Sequence, residues 1–179
     1  MVALAGAGLL SACAYNAADP CPNLSSVSAS NTPVELSRQA RSCLLRGDAA
    51  TASLLFGVAK SFSEFDRLRD GRVASAEEQG WPGTMLPALI IRDGLEGSQV
   101  ETLQAEIRAL SEDPARHRRL CSLLRSVGPP TYPAVYGVDQ NWRVVFPPPA
   151  ERQATPAGFN AEAAWQEIQR NVVECPEAG

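Results

Sequence analysis

The stretch TPVELSRQARSCLLRGDAATASLLFGVAKSF, residues 32–62, decides the fold, because it holds one helix, its stop and the start of the next. Thr32 can cap, Pro33 suits the first helical position, and Glu35 can return a bond to the cap, which predicts a helix from Pro33 to about Arg46. Leu36, Ala40, Cys43 and Leu44 fall at i, i+4, i+7 and i+8 and make one apolar stripe, with Arg38, Gln39, Arg41 and Ser42 facing out. Cys43 therefore points into the core. Gly47-Asp48 supplies a left-handed stop and a new cap within two residues, so the next helix, Ala49 to about Phe62, must fold back on the first. Its buried stripe is Ala52, Leu55, Phe56 and Ala59.

Working outward, Ser63 to Leu68 reads as a separate short helix ending before Asp70-Gly71, and Ser75 to Gly80 as a polar turn or short helix. The apolar segment Thr84–Ile91 carries Pro87, tolerable only in a first turn, and offers Met85, Leu86, Leu89 and Ile90 to the core. Ser98 caps a helix from Gln99 to about Ser111 that turns Val100, Leu103, Ile107 and Leu110 inward. Asp113-Pro114 opens another, running to Val127 with Leu120, Cys121 and Leu124 buried, until Gly128-Pro129-Pro130 ends it. Trp142 to Phe146 has the one credible strand signature, without an evident partner. Asn160 caps a last helix from Ala161 to about Glu174, with Ala164, Trp165, Ile168 and Val172 inward. The expectation is an all-α domain: a compact bundle of five to seven helices in antiparallel hairpins, with an irregular aromatic and Pro-rich segment before the C-terminal helix.

The 179 residues fit one domain, and a formal charge of -4 gives no basic field for nucleic acid. Residues 1–12, without charge and all apolar or small, read as a signal peptide, too short for the ~20 residues that a membrane-spanning helix needs. Residues 13–31, rich in Ser, Asn, Ala and Pro, then read as a lipidated N-terminus and flexible tether before a helical, disulfide-bonded domain at 32–179. With Cys13 taken by lipid, Cys21, Cys43, Cys121 and Cys175 remain, an even set that favours two disulfides in an oxidising compartment. Three pairings are open; a Cys121–Cys175 bridge would pin the last helix. Spacings of 22, 78 and 54 with a single histidine, His117, do not suggest a metal site, and no cofactor is expected.

Leu10-Ser11-Ala12-Cys13 resembles the lipobox of bacterial lipoproteins, although no Lys or Arg precedes it as is usual there. The resemblance implies acylation at Cys13 and anchoring in the periplasm, with Ala14 implying the outer membrane. Leu44 to Asp48 with Ala52, Phe56 and Ala59 resembles the turn and second helix of a tetratricopeptide unit, over about 30 residues from Leu36 and without a second copy. Asp113-Pro114-Ala115-Arg116, Leu120-Cys121, Arg125 to Tyr132, Ala163-Ala164-Trp165 and Cys175-Pro176 are similar to a family of uncharacterised proteobacterial lipoproteins. That likeness implies architecture and location, and no activity.

Nucleophile, zinc-protease and phosphate-loop motifs are absent. His117, between Arg116 and Arg118-Arg119, reads as part of a solvated face, as do Glu64, Asp66, Glu77 and Glu78. No catalytic residue is expected. Partner-binding candidates are Trp81, Tyr132, Tyr136 and Trp142, since Tyr and Trp on rigid loops build recognition hot spots, and Arg116, Arg118 and Arg119 for an acidic partner. Packing under the loop, beside Phe146, is the other role open to the aromatic rings. The expected function is protein binding from a membrane tether. An immunity protein that neutralises a toxic effector enzyme is one form of it; the alternatives are an assembly or stabilising factor and a cell-wall or lipid-acting enzyme.

Overall fold

The computed structural model describes residues 20–70, 82–138, 144–148 and 155–177. The Cys13, Trp81 and Trp142 expectations, the signal peptide and the Ser75–Gly80 turn lie outside them. Among the described residues the fold is all-α, with six helices: α1 Pro33–Leu45, α2 Ala49–Asp70, α3 Pro82–Arg92, α4 Gly97–Glu112, α5 Pro114–Val127 and α6 Ala161–Glu167.

The α1–α2 hairpin forms as its sequence dictates. Thr32 Oγ1 accepts from the Glu35 amide at 3.2 Å while Glu35 Oε2 accepts from the Thr32 amide at 2.8 Å, closing a capping box. At the far end Gly47 takes φ 82°, and the Asp48 and Gly47 amides donate to the Cys43 and Leu44 carbonyls, so the last turn of α1 keeps its acceptors paired. Asp48 Oδ1 then caps α2 by accepting from the Thr51 amide at 3.0 Å. Leu36, Ala40, Cys43 and Leu44 are all buried, and so is Ser42, which was expected to face out.

α2 is one helix of 22 residues, about 33 Å long; the expected break at Ser63 does not occur. Instead of capping a new helix, the serines of this stretch stay inside the old one. Ser61 Oγ donates back to the Gly57 carbonyl at 2.9 Å, and Ser63 is buried against its neighbours. Residues on most sides of α2 are buried, including Leu54, Leu55, Val58, Phe62 and Phe65. A helix apolar on most of its circumference belongs at the centre of a domain, and α2 accordingly packs against α1, α3, α4, α5 and α6. Gly57 permits the approach of α5: a Cβ there would lie 2.9 Å from Leu120 Cδ1.

Three other expectations change. α3 begins at Pro82, so Pro87 sits beyond its first turn, and Met85 and Leu89, read as core, face solvent while Leu86, Pro87 and Ile91 are buried. α4 is capped from Glu96, in a box with Gln99, rather than by Ser98. The strand residues have a partner: β1 Gly137–Val138 pairs antiparallel with β2 Val144–Val145, Gly137 opposite Val145.

The C-terminal helix also ends differently. After Glu167 it widens into a π-turn, Ile168–Val172, in which the Val173 amide donates to the Ile168 carbonyl at 3.0 Å. Five residues then span the distance that four cover in an α-helix. Ile168 remains inward, but Val172 turns out to 41% exposure and Val173 packs on the core in its place.

Two disulfides close the domain, Cys21–Cys43 and Cys121–Cys175. The first corrects the tether expected at 13–31 over its described part, 20–31; residues 13–19 lie outside the described residues. From Pro20 to Asn31 the chain is fastened by Cys21, by a 3-10 turn at Leu24–Ser26, by the buried Val27, and by the Thr131 amide donating to the Ala29 carbonyl at 2.8 Å.

Candidate functional site

The two tyrosines offered as partner contacts are buried in the core, for a specific electrostatic reason. Asp66 and Arg69, i and i+3 on α2, point inward, and their ions meet at 2.5 Å between Arg69 Nη2 and Asp66 Oδ1. Arg69 Nη1 also donates to the Tyr132 carbonyl at 2.8 Å. The Tyr132 hydroxyl lies 3.2 Å from Asp66 Oδ2 and 3.4 Å from the Phe62 carbonyl, and the Arg69 guanidinium sits 5.3 Å from the Tyr132 ring centre. Tyr136 brings its hydroxyl to the same carboxylate, with Ser63 beside it. A charge taken out of water must be paired and hydrogen-bonded, and this cluster does both.

Burial raises the Asp66 carboxyl from 3.8 to about 6, while Arg69 and the two tyrosine hydroxyls pull it back down. Burial and the neighbouring carboxylate hold Tyr132 and Tyr136 well above 10, so both stay neutral donors. Around the cluster Phe62, Phe65, Phe159, Tyr132 and Trp165 form edge-on and tilted ring contacts with centroids 5.4 to 6.4 Å apart. Asp66 was read as solvated charge and Arg69 was not singled out. Their signal was an acid and a base spaced i, i+3 on a helix, a spacing that Glu64 and Arg67 share without being drawn into the core.

The exposed face that remains is apolar. Met85 and Leu89, one turn apart on α3, are 59% and 58% exposed, and Phe146 after β2 is 58% exposed. Leu86 of the same helix forms a small buried pair with Tyr136, against which Val34, Ile90, Val135 and Val144 pack. The Phe146 ring lies 5.9 Å from that of Tyr136, and α3 contacts both strands. The aromatic segment thus contributes to a surface through Phe146, with Tyr136 as its underlay.

Among the arginines proposed for an acidic partner, Arg116 is held by Glu106 and by Asp113, the latter 3.6 Å away, whereas Arg118 and Arg119 are exposed. His117 is part-buried rather than solvated, its Nε2 2.7 Å from the Val173 carbonyl oxygen. It lines a cleft of about 340 Å³ between α2, α4, α5 and the π-turn, together with Phe56, Lys60, Ile107 and Glu174. His117, Cys121 and Cys175 carry ligand-type atoms within 4.8 Å of one another. No helix among the described residues is long and apolar enough to cross a membrane. Comparison with known protein families, with curated proteins and with solved structures gives no match for this chain.

Proposed function

We propose that the chain is an exported, lipid-anchored envelope protein that binds a protein partner through the face made by α3 and the β1–β2 hairpin. The observation that carries this reading is the exposure of Met85 and Leu89 on α3 and of Phe146 after β2, two elements that touch, on a scaffold fixed by two disulfides. Large apolar side chains grouped on one rigid face stand in the way of solubility unless something covers them, and Met and aromatic residues are enriched where proteins meet. Two bridges support an oxidising compartment, which agrees with the lipobox-like Leu10–Cys13. Periplasmic exposure from an outer-membrane anchor is part of the proposal.

An immunity protein that occupies a toxic enzyme delivered to the envelope is the specific form we favour, since such a role asks for export, rigidity and a preformed surface. The Asp66 cluster does not favour an enzyme reading: its side chains are buried, and a substrate has no access to them.

The test is a crosslinked pull-down of the tagged, anchored protein from its own cells, beside the Met85→Glu/Leu89→Glu variant. A single lytic enzyme recovered in stoichiometric amount, and lost with the variant, supports the immunity reading. Recovery of a resident envelope complex through the same face would make the chain an assembly factor. A variant that retains every partner would overturn the assignment of the face.

A further inference from the structure

We infer that the C-terminal staple is also a metal site in its reduced form, with His117, Cys121 and Cys175 as ligands to a thiophilic cation of the zinc type. The sequence hides this set because Cys121 and Cys175 are 54 residues apart, whereas the fold brings both sulfurs beside one imidazole. His117 and Cys121 are i and i+4 on α5, the spacing that stacks two side chains on one face of a helix. Cys175 arrives from the other side, placed by the π-turn and by the Cys175 amide donating to the Gln169 carbonyl at 2.7 Å.

The distances suit such an ion. With bonds of about 2.0 Å to nitrogen and 2.3 Å to sulfur, a tetrahedral cation separates its ligands by about 3.5 Å for N···S and 3.8 Å for S···S. His117 Nε2 already lies 3.7 Å from Cys121 Sγ. The sulfurs, bonded to each other in the oxidised protein, must part to about 3.8 Å, within reach of side-chain rotation. His117 Nε2 must then exchange its hydrogen bond to the Val173 carbonyl for the metal, its proton moving to Nδ1.

Reaching that state needs a dithiol reductant, and the protein offers it an approach. A cleft of about 400 Å³ lined by Arg125, Gln166, Gln169, Arg170, Pro176 and Glu177 leads to Cys175. A reductant thiolate attacks the Cys175 sulfur and the Cys121 thiolate leaves; the second reductant thiol then closes its own disulfide and releases Cys175. Arg125 and Arg170 favour thiolate there and Glu177 opposes it. The two thiols lose their protons when the cation binds, leaving it one further position to fill.

The experiment titrates the full chain, reduced with a non-chelating phosphine, with cobalt(II), reading thiolate-to-cobalt charge transfer and the visible bands of a tetrahedral ion. One ion per chain is expected in the reduced protein and none in the oxidised protein. Cys121→Ser, Cys175→Ser and His117→Ala should each weaken binding about tenfold or more. His117→Cys, which keeps a soft donor, and Cys43→Ser should retain it, with near-ultraviolet circular dichroism reporting the fold of each variant. The assignment is overturned if folded His117→Ala binds as the parent does, if Cys43→Ser alone abolishes the signal, or if the reduced parent gives none.

Discussion

Replacing Asp66 by Asn should change how stability depends on pH, with a sign opposite to that of ordinary acid denaturation. Burial raises the carboxyl from 3.8 to about 6, so the folded protein holds this proton more tightly than the unfolded chain does. The stability that this group contributes is therefore fully present below pH 3.8 and is lost as pH rises through about 6. A shift of this size corresponds to about 3 kcal/mol between the two ends of the window. Asn at 66 keeps the shape but does not titrate. The assay is urea unfolding of both proteins at intervals from pH 4 to 7.5, and the quantity of interest is the parent's stability minus the variant's. That difference should fall by about 2.4 kcal/mol from pH 4 to 7.5, the rest of the change lying below pH 4. Below about pH 6 the parent's carboxyl is neutral as well, so Arg69 lacks a counter-ion in both proteins there; its pull on Asp66 is already part of the shift, and Asn adds only an offset that does not vary with pH. A flat difference, or one that rises with pH, would refute the reasoning, because it would mean that Arg69 and the tyrosines outweigh the burial of the charge.

Gly57→Ala sets two effects against each other, a gain of about 1 kcal/mol in helix propensity and a carbon 2.9 Å from Leu120 Cδ1, whose side chain must shift; in a Leu120→Ala background the contact is gone, and thermal melting should show the substitution to be more favourable there than in the parent. Opening the Cys21–Cys43 bridge by Cys→Ala at both positions should lower stability by about 3 kcal/mol, and opening Cys121–Cys175 by about 4 kcal/mol, because the longer loop frees more of the unfolded chain. Denaturant midpoints at fixed pH would give the order, and equal losses would point to effects in the folded state instead.

Local signals were legible wherever a single residue type has one conformational consequence. The capping box at Thr32 and Glu35, the left-handed stop at Gly47 and the caps at Asp113 and Asn160 stand where the sequence put them. What escaped was decided by contacts between distant residues. Ser63 has the composition of a cap, yet α2 runs through it because its buried sides are already covered by five other helices. Val172 fits the 3.6-residue period as well as Ile168 does, and only the π-turn moves it outward. Met85 and Leu89 are indistinguishable from core residues by pattern, because an apolar surface and an apolar core are written with the same letters. Tyr132 and Tyr136 were open to both roles, contact surface or packing under the loop, and the partner that draws them in, Asp66, lies 66 and 70 residues earlier in the chain.

The buried cluster and the exposed face are connected, and this determines which substitutions can report on binding. Tyr136 directs its hydroxyl towards Asp66 on α2, packs its ring with Leu86 of α3, and lies under the ring of Phe146. The position of α3 relative to the hairpin is thus set from below by the same ion pair that anchors the end of α2. Truncating Tyr132 would remove a hydrogen-bond donor from a buried carboxylate, and truncating either tyrosine would remove a wall from the core. Loss of a partner in such a variant would say nothing about contact. Met85 and Leu89 have no such double role, since most of each side chain lies in water already. Surface substitutions of that kind leave stability within about 0.5 kcal/mol, so a lost partner with an unchanged melting temperature locates the contact on α3 itself.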